Sequence, residues 1–202
     1  KGEVFAFSGN TGSSGGPHLH FEIRDTETQF AINPLLFGLK VPDKVKPKIQ
    51  YLFVYPLDEN AQANQWSNPT QVNLKLDSLN IYQSDSVYAF GRVGFAVNTY
   101  DQQSGDVNQN GIYSMKLMVN NKTIYHHQLD KFSFDESKFI NLHIDYAYYE
   151  KNNTRLQKCF VEPFNNLSTY DQKYVENGYI NVQENDTLQV EILVSDIENN
   201  VS

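Results

Sequence analysis

The chain has 202 residues, enough for one large domain or for one domain and part of a second. It is 40% hydrophobic and 20% charged, which excludes a disordered chain. Its net charge of −8 argues against nucleic acid as a partner, because phosphates call for a basic surface. One cysteine, Cys159, excludes an internal disulfide and a cysteine-rich zinc cluster, and no apolar run approaches the ~20 residues of a transmembrane helix.

Aromatic residues make up 13% of the chain, and together with many Val, Ile and Thr they lean toward β structure. Lys1-Gly2 reads as a turn and Val4 to Phe7 as a strand already under way, so the chain is expected to begin inside a domain. Ser8 to Pro17 is a loop of small residues. His18-Leu-His-Phe-Glu-Ile-Arg24 then alternates cleanly. Leu19, Phe21 and Ile23 share one face, expected to be core. His18, His20, Glu22 and Arg24 share the other. Asp25 to Gln29 reads as a polar turn, Phe30 to Pro34 closes the unit, and Gly38 ends it.

Residues 39–48, LKVPDKVKPK, form the best boundary, since two prolines favour an extended connector. The expected organisation is therefore a first unit over 1–38, a linker over 39–48, and a β-sandwich over 49–202. From Ile49 onward, short strands alternate with turns: Ile49 to Tyr55, Val72 to Leu76, Ile81-Tyr82, Val87 to Phe90, Arg92 to Tyr100, Ile112 to Val119, Thr123 to Leu129, and Thr187 to Val194. Asp101 to Gly111 is a polar loop, and Asn120-Asn121 suits a hairpin turn. This spacing predicts an antiparallel, immunoglobulin-like sandwich. One helical insertion is expected near 134–150. Ser133-Phe-Asp-Glu136 fits a capping box, and Phe139, Leu142, Tyr146 and Tyr149 recur at helical spacing. The tyrosines there read as packing residues, with a sugar-stacking platform as the sharper alternative. Cys159, in an apolar run, reads as a small core residue. Trp66, in a polar loop, suits either a sandwich edge or an exposed contact.

The chemistry lies in Ser8–Arg24, SGNTGSSGGPHLHFEIR. Two imidazoles at i and i+2 stand roughly 7 Å apart on one strand face. That spacing suits one metal ligand beside one group that handles protons on a metal-bound water, since free imidazole titrates near neutral pH. A catalytic zinc takes three protein ligands and keeps a position for water. Two histidines do not complete such a site. The preceding glycines permit close backbone approach and positive φ, so the loop can edge a narrow groove.

The same stretch resembles the C-terminal signature of the lysostaphin/LytM-type zinc metalloendopeptidases, G-x-T-G-x-S-x-G-P-H-L-H-F-E. Lys1 to Ser8 is similar to the strand before that signature, and Asn33-Pro-Leu-Leu36 to the segment that closes the domain. The resemblance covers about the first 38 residues. It implies a bacterial cell-envelope enzyme, periplasmic or secreted, that cuts peptide cross-links of peptidoglycan. It implies His20 as a zinc ligand and His18 as the catalytic histidine. Thr11, Gly12, Ser13, Ser14 and Gly15 would border the substrate. The family's remaining ligands, a His and an Asp in an upstream H-x-x-x-D, do not stand before His18 in this sequence. The implied partner is therefore the N-terminal remainder of the peptidase domain, and this chain alone is expected to be inactive. His126 and Asp130 match the H-x-x-x-D spacing by accident, within the second domain.

Residues 49–202 resemble bacterial immunoglobulin-like modules more loosely, through Gly111-Ile-Tyr-Ser and the ending from Val194 to Ser202. Two alternatives remain at the level of sequence. One is a non-catalytic LytM-type scaffold that activates a cell-wall amidase. The other is an envelope-binding module in which residues 49–202 carry the function. For Glu22 and Arg24 an ordinary surface role is expected, with an imidazole contact from Glu22 as the sharper alternative.

Overall fold

The computed structural model describes residues 1–202 apart from Lys1, Phe5, Thr11 to Ser14, Lys40 and Val175. The fold is mainly β. In chain order the strands are β1 (Ile23–Arg24), β2 (Ala31–Ile32), β3 (Lys48–Pro56), β4 (Gln62–Ala63), β5 (Thr70–Val72), β6 (Leu74–Leu76), β7 (Tyr82–Ser84), β8 (Ala89–Tyr100), β9 (Ser114–Val119), β10 (Lys122–Gln128) and β11 (Lys131–Phe132). Two short helices follow, α1 (Ile140–His143) and α2 (Tyr146–Asn152). The last strands are β12 (Gln157–Lys158), β13 (Ile180–Val182) and β14 (Val190–Ser195).

Two antiparallel sheets build the sandwich. One runs β12-β8-β3-β5, with β13 and β4 also paired to β8, and the other runs β10-β9-β14. Their facing side chains form one core: Leu52, Val54, Val93, Phe95 and Val97 from the first sheet meet Met115, Leu117, Ile124 and Val194 from the second. The run Leu52-Phe-Val-Tyr55 is apolar throughout because β3 is covered on both faces. Phe53 and Tyr55 point away from the main core into a second cluster with Ala96, Leu156 and Phe160. Helix α2 caps that outer face. Tyr148 packs edge-on against Phe53 at 5.3 Å, and the Tyr55 hydroxyl donates to Asp145 Oδ2 at 2.7 Å. Cys159 lies in the main core, fully buried, and burial pushes its thiol well above the usual range.

Several expected elements are altered by their surroundings. Val87–Phe90 and Arg92–Tyr100 merge into β8, and the intervening Gly91 takes φ +77°. Val72 to Leu76 is split at Asn73 between β5 and β6, which belong to different sheets. The helical insertion is not one helix. A 3-10 turn over Phe134–Phe139 leads into α1, and the chain then becomes extended at Ile144, which bridges to Gln157. Asp145 restarts it as α2 by accepting from Tyr148 N–H at 2.9 Å. The capping box is only half made. Ser133 Oγ accepts from Asp135 N–H, whereas Glu136 reaches across to accept from Ser168 N–H at 3.0 Å. The hairpin at Asn120-Asn121 forms as expected, with φ of 47° and 65°.

The first unit joins the sandwich through a small sheet ordered β1-β2-β11. Ala31 and Ile32 pair with Phe132 and Lys131. Asn33 extends the join, its N–H donating to the Asp130 carbonyl at 2.8 Å. The Asn33 side chain caps the 3-10 turn Pro34–Phe37 by accepting from Leu35 N–H, and the turn ends at Gly38 in the left-handed region. The connector is anchored at points: Lys44 N–H donates to Ser104 Oγ at 3.0 Å. Pro47 is buried, and its carbonyl accepts from the Ser202 hydroxyl.

Candidate functional site

The expected strand over His18–Arg24 is only partly formed. Ile23 and Arg24 pair in β1, and residues 18–22 have no regular structure. The face expected to be core is open: Leu19 is 83% exposed and Phe21 60%. Val4 and Phe7, expected in a strand, are likewise exposed and not in a strand. The physical reason is the same in both places. Alternation creates an apolar face, but among the described residues no second layer covers this one.

Both histidines face solvent. His18 Nδ1–H donates to the Gly16 carbonyl at 2.9 Å, which selects the tautomer whose Nε2 accepts a proton. His20 Nε2 stands 3.9 Å from Glu22 Oε2. Glu22 is held in turn by Arg24, whose Nε and Nη2 donate to Oε1 at 2.8 and 2.7 Å. The Arg24 guanidinium lies 5.1 Å over the Phe134 ring. A relay of contacts thus runs from the 3-10 turn of the sandwich to His20. The sequence favoured Glu22 as a plain surface residue. Its carboxylate stands between the His20 ring and the Arg24 guanidinium, the imidazole contact that was the sharper alternative, at a distance too long for a hydrogen bond to His20.

Thr11, Gly12, Ser13 and Ser14 lie outside the described residues. Gly15 is described and exposed. Neither Gly15 nor Gly16 has a positive φ, and a Cβ on either would meet nothing within 4 Å, so the expected close backbone approach is not made at these two positions. A zinc ion does not fit the described residues near the motif. His18 and His20 belong to no cluster of three or more metal-binding side chains. The accidental match at His126 and Asp130 falls apart as expected: Asp130 accepts from Gln128 and from the Tyr113 hydroxyl, and His126 points elsewhere.

His126 belongs to an arrangement with no signature in the local pattern of residues. Its Nε2 stands 3.0 Å from Ser114 Oγ, and its Nδ1 stands 3.6 Å from Asp171 Oδ2. Burial lowers the imidazole pKa, and the Lys116 charge works the same way against Asp171. A hydroxyl, an imidazole and a carboxylate in that order resemble a nucleophilic triad in kind. The geometry argues against that chemistry. The imidazole–carboxylate contact is too long for a hydrogen bond, and Lys173 holds Asp171 at 2.7 Å. Ser114 also sits in β9, which is paired on both edges, so its ladder occupies the backbone donors an oxyanion would need. His126 borders a cavity of ≈ 490 Å³ that includes Tyr125, Phe164, Asn165, Tyr174 and Tyr179.

A second pair of imidazoles is internal. His127 and His143 stack at 4.5 Å, and His143 Nδ1 stands 3.0 Å from the Tyr170 hydroxyl. Burial drives both pKa values down, to about 4 for His143 and well below normal for His127. These groups are core, remote in role from the exposed pair at 18 and 20. Comparison with family models, with curated proteins and with solved structures finds no match to the chain.

Proposed function

We propose that this chain is the C-terminal portion of a bacterial cell-envelope zinc metalloendopeptidase that hydrolyses peptide cross-links of peptidoglycan. The observation that carries the reading is the motif SGNTGSSGGPHLHFEIR, in which small residues, His-x-His and the following glutamate occur together at fixed spacing. In this reading His20 is a zinc ligand and His18 a proton-handling neighbour. The remaining ligands come from residues beyond those described, because His20 has no companion ligands among them. The exposure of both imidazoles and the tautomer set at His18 support it, since each ring presents a nitrogen to solvent. Residues 49–202, read as an immunoglobulin-like module, would position that site on the envelope polymer.

The test uses the full-length enzyme. His20→Ala should remove most of its bound zinc and its turnover of peptidoglycan cross-links. His18→Ala should keep the zinc and lose the turnover. Unchanged zinc content and activity in His20→Ala would overturn the assignment. A second reading, an amidase-activating scaffold, draws on the same lack of companion ligands. It expects a full-length protein without stoichiometric zinc that still raises amidase activity.

A further inference from the structure

Three acidic side chains from distant parts of the sequence converge where the connector meets the sandwich. Asp43 lies in the connector, Asp101 directly follows β8, and Asp196 directly follows β14. One carboxylate oxygen of each lies within 4.8 Å of the others. They line a hollow of ≈ 220 Å³ that also includes Glu198, Asn33 and Asn110. Asp101 is only 6% exposed, and its Oδ1 is fully buried with no hydrogen-bond partner. Among the described residues, no lysine, arginine or histidine is ion-paired with any of the three.

A buried carboxylate oxygen without a donor is expensive, and two like charges beside it raise the cost. Burial, then the charges of Asp196 and Asp43, push the Asp101 carboxyl up to about 6. The other two carboxylates are held in place for a ligand. Asp43 Oδ1 accepts from Val45 N–H, Ser104 N–H and the Ser104 hydroxyl at 2.9 to 3.0 Å. Asp196 accepts from Asn200 N–H at 2.8 Å and from Asn200 Nδ2 at 2.6 Å. A carboxylate has about four lone-pair sites, so these bonds orient the groups without exhausting them.

We propose that Asp43, Asp101 and Asp196 bind one calcium ion, which fastens the connector to the sandwich. Hard oxygen donors with no histidine or cysteine in the hollow favour calcium or magnesium over zinc. Calcium binds oxygen at about 2.3–2.6 Å in flexible geometry, so ligands on opposite sides stand about 5 Å apart, which suits the observed spread. The hollow has room for the waters that complete the coordination. Because one ligand belongs to the connector, binding couples the ion to the placement of residues 1–38. The site shares no residue with His18 or His20 and does not depend on the peptidase reading.

Calcium chloride titrated calorimetrically into this chain, previously stripped with EDTA, should show one ion per chain. Its melting temperature should rise by about 5–10 °C once calcium is well above its dissociation constant. Asp101→Asn keeps the shape and removes the repulsion. It should melt above the wild type in EDTA and lose the calcium-dependent rise. If that variant fails to fold, Asp43→Asn, on a half-buried connector residue, should weaken calcium binding at least tenfold. No heat and no melting shift in the wild type, an undiminished shift in Asp101→Asn or Asp43→Asn, or an equal shift with magnesium chloride would overturn the proposal.

Discussion

Residues 18–24 and β8 carry the same kind of pattern and meet opposite fates. In β8, Val93, Phe95 and Val97 alternate with smaller residues, and all three are buried. In the motif, Leu19, Phe21 and Ile23 alternate just as cleanly, yet Leu19 and Phe21 stand open. The difference lies in the partners. β8 is paired along its length by β3 and β13, and a second sheet covers its inner face. The motif gains a strand neighbour only at Ile23 and Arg24, through β2. Alternation therefore specifies which face is apolar, and only a covering layer turns that face into core.

The contrast sets the scale of four measurements. The largest effect belongs to the sandwich core. Leu117→Ala should lower the stability by about 2–5 kcal/mol in urea denaturation, because Leu117 is fully buried between the sheets. A loss under 1 kcal/mol would mean that the two sheets do not share that core.

The next effect depends on pH. His127 and His143 face each other, the Tyr170 hydroxyl and Gln157, with the charges of His126 and Lys158 nearby. Their folded pKa values lie below the unfolded value near 6.5, so the unfolded chain binds more protons as pH falls. Stability is then intact above about pH 6.5 and declines below it, down to about pH 4 for His143. The slope should approach about 1.4 kcal/mol per pH unit for each histidine. Denaturation curves of the wild type and His127→Phe at pH 7.5, 6 and 5 measure it, and the variant's slope should be shallower by about 1.4 kcal/mol per pH unit, the raised Asp101 carboxyl acting with the opposite sign in both proteins. Equal slopes in the two would show that the His127 ring is not held neutral.

Gly178→Ala should cost about 1–3 kcal/mol. Gly178 has φ +80°, and a Cβ there would collide with the Cys159 carbonyl. The smallest effect is expected in the motif. Phe21→Ser should change the stability of this chain by less than about 0.5 kcal/mol, because the ring is mostly exposed already. If instead it matched Leu117→Ala, the motif strand would be covered in solution, and the contrast between the two regions would fail.

Much of the sandwich was legible because its signals are local. The strand over Ile49–Tyr55, the Asn120-Asn121 turn and the burial of Cys159 follow from β-forming residues, left-handed tolerance and flanking residues. The helical insertion was legible in type but not in continuity, since the bridge from Ile144 to Gln157 breaks it from outside. At the candidate site, the alternation put His18 and His20 on the face opposite Leu19 and Phe21, while the contact from Glu22 through Arg24 to Phe134 was not legible. That relay depends on β1 being carried to the sandwich by β2 and β11.

By itself, the sequence determined a mainly β chain with an apolar sandwich, a proline-bearing connector and a His-x-His motif of specific spacing. Composition and short periods are enough for that, because each rests on residues a few positions apart. Only the tertiary structure decided that Asp43, Asp101 and Asp196 share one hollow, that His126 meets Ser114 and Asp171, and that the motif's apolar face stays open. These depend on strands distant in sequence being brought side by side, and no local pattern encodes which ones will meet.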